Sequence, residues 1–79
     1  MEKAAIVEKL TPIFRNVFGD NSLEVTDDLN AEKVSNWDSL SHMLLITEVE
    51  TQFAIKFKLK ELNKMRNVGD MIDIIGTKL

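Results

Sequence analysis

The sequence predicts an all-α domain, a four-helix bundle with a long loop between its first and second helices and a short third helix. Apolar residues recur at helical spacing over residues 2 to 18, from Asp38 to Phe53 and from Asn67 to Leu79, with charged residues between them. The only strand-like alternation, AIKFKLKEL, is short and has no second strand to pair with. The 79 residues amount to one domain, 1–79, without an internal repeat or low-complexity tract.

The first helix turns Ala5, Ile6, Leu10, Ile13, Phe14 and Val17 toward a core. Pro12 falls inside that pattern, where it removes a backbone donor, so it either kinks the helix near Leu10 or Thr11 or marks its true start. Gly19 fits a C-terminal stop. From Asp20 to Trp37 the chain reads as a loop pinned to the core by Leu23, Val25, Leu29, Val34 and Trp37, with a short turn of helix near Asn30 to Lys33. A loop this long in a small domain is usually functional.

Asp38 is a suitable N-cap for the second helix, which puts Ser39 in its first turn. Leu45 or Ile46, then Val49 and Phe53, mark its inner face, and it ends near Gln52 or Phe53. The alternating segment, with Ile55, Phe57 and Leu59 on one side and Lys56, Lys58 and Lys60 on the other, reads as an extended linker entering a short helix around Lys60 to Met65. The last helix opens near Asn67 and directs Val68, Met71, Ile72, Ile74 or Ile75, and Leu79 inward. Asp70 lies early in it, where the helix dipole favours an anion.

Composition narrows function further. A domain of this size cannot enclose a deep substrate cavity with a supporting shell, so a self-contained enzyme is not expected. With no Cys and one His, disulfides, thiolate zinc sites, thiol nucleophiles and most imidazole metal sites are excluded, and no metal is expected. The N-terminus, MEKAAIVEKL, interrupts its apolar positions with charge and resembles neither a signal peptide nor a membrane anchor, so the expected location is the cytoplasm. The net charge of −3 is unevenly spread: residues 1 to 55 carry −6, whereas Lys56, Lys58, Lys60, Lys64 and Arg66 against Glu61 give residues 56 to 66 a charge of +4.

The residues that bear on chemistry are Asp38-Ser39-Leu40. A serine in the first turn of a helix lies beside backbone N–H groups left without intrahelical partners, and that end of a helix stabilises negative charge. Ser39 is thus suited to carry a phosphodiester, although Asp38 and Ser39 also serve as ordinary capping residues. Three stretches carry the wider pattern: Trp37-Asp38-Ser39-Leu40-Ser41, the run from Met43 to Phe57, and Asn67-Val68-Gly69-Asp70-Met71-Ile72. On these residues, from about Ile6 to Ile75, the chain resembles the acyl and peptidyl carrier proteins, and its bundle is accordingly of acyl-carrier type.

That resemblance implies a carrier and not an enzyme. A phosphopantetheinyl transferase, using magnesium, would move 4′-phosphopantetheine from coenzyme A onto Ser39. The arm would then hold acyl or aminoacyl intermediates as thioesters for enzymes of fatty acid, polyketide or related secondary biosynthesis. The cofactor supplies the thiol that the chain lacks. Asp38 and Glu50 match acidic docking positions, Leu40 and Met43 match apolar ones, and Ile46, Val49, Leu62 and Ile72 match positions that line a sheltered acyl chain. The implied partners are the transferase and an acyl ligase, ketosynthase or acyltransferase; no nucleic acid or membrane is implied, and the protein is expected to be a monomer. Ser41, Leu44 and Thr51 stand where fatty-acid carriers are acidic, Glu48 where a small apolar residue is usual, and the basic run Lys56 to Arg66 where those carriers are acidic. These departures point to a specialised free-standing carrier with its own partner set.

Asp38, Ser39 and His42 invite comparison with a hydrolytic triad, but adjacent helical residues do not face one another, so Asp38 is poorly placed to orient His42 behind Ser39. The alternative from another class is a non-catalytic helical interaction module, a nucleic-acid or regulatory-protein binder acting through Lys56 to Arg66. That segment has Phe57 as its sole aromatic, and the acidic remainder of the chain opposes a polyanion. Trp37 is expected to anchor the loop on the core.

Overall fold

The computed structural model describes residues 2–79; Met1, which belongs to the expected 1–79 domain, lies outside the described residues. The element order is α1 (Lys3–Phe18), α2 (Ser39–Phe53), α3 (Leu59–Asn63) and α4 (Val68–Lys78). Among the described residues there is no strand, and no helix is long and apolar enough to cross a membrane. The expected all-α architecture, with its long first loop and short third helix, is what the chain forms.

In α1 the apolar stripe buries Ile6, Leu10, Ile13, Phe14 and Phe18. Phe18 extends the face one turn beyond Phe14, whereas Val17, expected inward, is only half-buried. Pro12 does not mark the helix start, because α1 runs without interruption from Lys3. Pro12 and Glu8, the residue whose carbonyl it cannot serve, both lie on the exposed face, where water can replace the missing donor. Gly19 closes the helix in the left-handed region at φ 63°, and its N–H donates to the Arg15 carbonyl.

The loop from 20 to 37 is held as much by hydrogen bonds as by burial. Leu29 and Val34 are buried, and Leu23, Val25 and Trp37 pack against the core. Asn36 Nδ2 donates to the Phe18 carbonyl at 2.8 Å and Arg15 Nε to the Leu23 carbonyl at 2.9 Å. The first turn of α4 donates back to the loop: Val68 N–H reaches the Leu29 carbonyl and Gly69 N–H the Asp27 carbonyl, both at 2.9 Å. A Cβ at Gly69 would lie 3.1 Å from that Asp27 oxygen, a tight contact that the loop would have to yield to by a few tenths of an ångström. Near Asn30 to Lys33 the chain makes a hydrogen-bonded turn and not the expected turn of helix; Lys33 N–H donates to the Asn30 carbonyl, while Asn30 Oδ1 accepts from Glu32 N–H.

On α2, Leu45 and Ile46 are both buried, with Val49 and Phe53. The helix ends at Ala54, which adopts φ 56° and donates to the Glu50 carbonyl. An extended linker follows, half-burying Ile55 and Phe57. Helix α3 spans Leu59–Asn63, starting one residue before and stopping two residues before the expected bounds. That start rotates Leu59 outward: it is 75 % exposed, contrary to the alternation that grouped it with Ile55 and Phe57. In α4, Asn67 caps the helix by accepting from Asp70 N–H at 2.9 Å, and Val68, Met71, Ile72 and Ile75 are buried. Leu79, expected inward, is exposed because it follows the last helical turn. Helix α1 packs on α2 and α4, and the resulting core lies behind the α2 face that begins at Ser39.

Candidate functional site: the serine at the head of α2

Asp38 and Ser41 form a reciprocal cap. Asp38 Oδ1 accepts from Ser41 N–H at 2.9 Å, and Ser41 Oγ accepts from Asp38 N–H at 2.8 Å. Ser41 Oγ also donates to the Asn36 carbonyl, tying the helix start to the loop. The Ser41 backbone N–H, and then its hydroxyl, hold the Asp38 carboxyl below its ordinary value. Ser39 is the first helical residue, is exposed, and its hydroxyl engages no protein group among the described residues.

Around Ser39 the surface is apolar. Leu40, Met43 and Leu44 are 73 %, 60 % and 54 % exposed, and their i, i+3, i+4 spacing places them on one ridge. A shallow, open groove of about 540 Å³ runs beside it, lined by Ala31, Trp37, Asp38, Ser39, His42 and Met43. Trp37 forms one wall, packed edge-on against Phe14 at 5.7 Å and tilted against Phe18 at 5.2 Å, the anchoring role expected of it. Its indole Nε1–H donates to His42 Nδ1 at 3.1 Å. Burial lowers the pKa of His42. With Asp38 committed to the cap and His42 committed to Trp37, the three residues do not form a hydrolytic relay.

The other expected site residues lie farther from Ser39. Glu50 is half-buried and its Oε2 accepts from Phe57 N–H at 2.9 Å, so it holds the linker. Ile46, Val49 and Ile72 are buried in the core and Leu62 packs against it. Leu44, which carries no docking role in the sequence reading, joins that exposed ridge one turn after Leu40. The Trp37–His42 bond was also missed, because it spans a helix cap and has no periodicity to reveal it. Lys56, Lys58, Lys60, Lys64 and Arg66 are all exposed; Arg66 pairs with Asp70 at 3.2 Å, and Glu61 pairs with Lys78 at 2.8 Å.

No family model matches the chain. It is similar to an acyl carrier protein of Thermosynechococcus vestitus, 27 % identical over 79 residues covering 100 % of this chain and 98 % of the relative. An acyl carrier protein of Coprothermobacter proteolyticus is 29 % identical over 79 residues, covering 100 % of this chain and 96 % of the relative. A solution NMR structure of a holo acyl carrier protein from Geobacter metallireducens superposes with a TM-score of 0.88 at 48 % identity, covering 92 % of this chain and 84 % of that one. The chain belongs to the acyl carrier protein family. This carrier conveys acyl groups among biosynthetic enzymes and is not itself a catalyst. The alternative of a nucleic-acid or regulatory module finds no support in these relatives.

Proposed function

We propose that Ser39 is the attachment point of a 4′-phosphopantetheine arm on which the carrier holds acyl or aminoacyl groups as thioesters. The strongest support is the contrast within one dipeptide: Asp38 spends its carboxylate on the cap, while the Ser39 hydroxyl beside it is exposed and unengaged. In the loading step a magnesium-dependent phosphopantetheinyl transferase supplies coenzyme A. The Ser39 oxygen forms a new P–O bond to the phosphate bearing the pantetheine, and 3′,5′-ADP leaves. Neither neighbouring residue is equipped to take the Ser39 proton. Asp38 is a weak base held below its ordinary pKa, and the His42 Nδ1 lone pair is occupied by Trp37. The base therefore comes from the transferase.

Once attached, the arm supplies a thiol that activates acyl groups for transfer, and tethering raises their effective concentration at each partner's active site. Asp38, Leu40, Met43 and Glu50, joined by Leu44, form the docking face for the transferase and for an acyl ligase, ketosynthase or acyltransferase. Ile46, Val49, Leu62 and Ile72 are the residues that would part to shelter a chain. The basic run from Lys56 to Arg66 favours a partner set of its own, within fatty acid, polyketide or related secondary biosynthesis. The carrier acts as a cytoplasmic monomer in this reading. Incubation with coenzyme A, magnesium and a promiscuous transferase, followed by intact mass measurement, tests it. The wild type gains one phosphopantetheine and Ser39→Ala gains none; an unmodified wild type, or a modified Ser39→Ala, refutes the assignment.

A further inference from the structure

We infer that the groove formed by Trp37, His42 and Met43 beside Ser39 is a resting site for the amide-bearing arm, with His42 Nε2–H as the donor to one of its carbonyls. The inference rests on the assignment of the arm to Ser39 and adds to it a side chain that orients the arm between partners.

The argument begins with the tautomer. An indole N–H can only donate, so the His42 Nδ1 that receives it at 3.1 Å carries no proton. Neutral imidazole has one N–H, which is therefore on Nε2. That donor has no protein partner among the described residues. The ring is held in place: it lies nearly coplanar with Trp37, edge to edge, with planes 19° apart and centroids 6.1 Å apart, and Trp37 itself packs against Phe14 and Phe18. His42 stands three residues after Ser39 on α2, and residues at that spacing share a helix face. The result is an oriented hydrogen-bond donor beside the attachment oxygen.

The groove around that donor suits a pantetheine. Ala31, the Trp37 ring and Met43 offer apolar walls for its geminal methyl groups, and His42 offers a polar point for an amide carbonyl. His42 also lines a smaller recess of about 90 Å³, which continues past it to Met65, Arg66, Asn67 and Met71. That volume equals roughly three waters, at about 30 Å³ each. The recess accepts a few heavy atoms and not a long acyl chain, so it is matched to a short part of an arm lying along the open groove.

A merely structural His42 would need only its Nδ1 acceptor for Trp37, and this separates the two roles. His42→Asn keeps an acceptor near Nδ1 but loses the Nε2 donor, whereas His42→Gln places an amide N–H near Nε2. Each protein is loaded by a transferase, checked by intact mass, and examined by NMR for nuclear Overhauser contacts between the arm's geminal methyls and the Trp37 and His42 rings. The expected result is clear contacts in the loaded wild type, a several-fold loss in His42→Asn and recovery in His42→Gln. Absent contacts in a fully loaded wild type, or undiminished contacts in His42→Asn, overturn the inference while leaving Ser39 as the attachment point. A wild type that gains no mass removes the Ser39 assignment and this inference with it.

Discussion

Val49→Ala separates what holds the carrier together from what it presents. Val49 is 0 % exposed and belongs to the core that α1, α2 and α4 share, so its side chain has no contact with solvent to lose. Truncation removes two carbons at about 0.8 kcal/mol of transfer free energy each, before any cavity contribution. A loss of about 1.5–3 kcal/mol follows. For 79 residues at roughly 0.05–0.15 kcal/mol per residue, total stability is about 4–12 kcal/mol, so the variant stays folded in buffer. At about 4–8 °C per kcal/mol for a domain of this size, the melting temperature falls by about 6–24 °C. Urea denaturation followed by circular dichroism measures the difference, and intact mass measures loading of Ser39 in the same sample. A midpoint shift with undiminished loading is expected. A stability equal to wild type would refute the packing argument, and lost loading in a still folded variant would refute the separation of core from site.

The exposed ridge should behave in the opposite way. Leu40→Ala changes stability by less than about 0.5 kcal/mol, because Leu40 is 73 % exposed, yet slows transfer from a partner enzyme, measured as acyl-transfer rate against carrier concentration. Asn67→Ala removes the cap of α4 and costs about 1 kcal/mol in a urea titration, with no change in loading. Acid should unfold the carrier in two limbs. His42, whose folded pKa lies below 6.5 because of burial, favours the fold when neutral, so its contribution is present above pH 6.5 and is lost as pH falls through its lowered value. The carboxyls of Asp28 and Asp38 are depressed, Asp28 to about 2 chiefly by its hydrogen bond from Lys33, so theirs is lost as pH falls from about 4 toward 2. Stability measured against pH in His42→Gln should lack the upper limb and keep the lower.

The parts of this fold that were legible in the sequence are those set by repetition and by punctuation. Helical spacing identified the buried faces of α1, α2 and α4, and Gly19, Asp38 and Asn67 marked where helices stop or start. The errors have local physical causes. Leu59 continued an alternation that ends when α3 begins, so the rule that grouped it with Phe57 no longer applied. Pro12 is not the start of the helix, because its lost hydrogen bond falls on a face open to water and α1 continues through it. The place of Ser39 at the start of α2 was legible because a cap is a short-range signal, whereas the role proposed for it comes from the family resemblance. The bonds from Trp37 to His42 and from Phe57 to Glu50 depend on how a loop and a linker fold back on α2, which no local pattern encodes.

The order of Asp38 and Ser39 is itself a functional constraint. An N-cap side chain precedes the helix and can reach back over its first N–H groups, as Asp38 does to Ser41. A side chain in the first helical position points away from that bond, which is why Ser39 remains exposed and unengaged. Exchanging the two residues would leave the composition and net charge unchanged. Asp38→Ser with Ser39→Asp would still cap α2, since serine and aspartate cap about equally well, and circular dichroism should show the same helix content. The hydroxyl would now be spent on the cap, one residue out of register with the docking ridge. Intact mass after incubation with transferase should show no gain of phosphopantetheine. Full loading of the exchanged protein would mean that the transferase recognises the dipeptide in either order, and that the geometry of the helix start plays no part in selecting the serine.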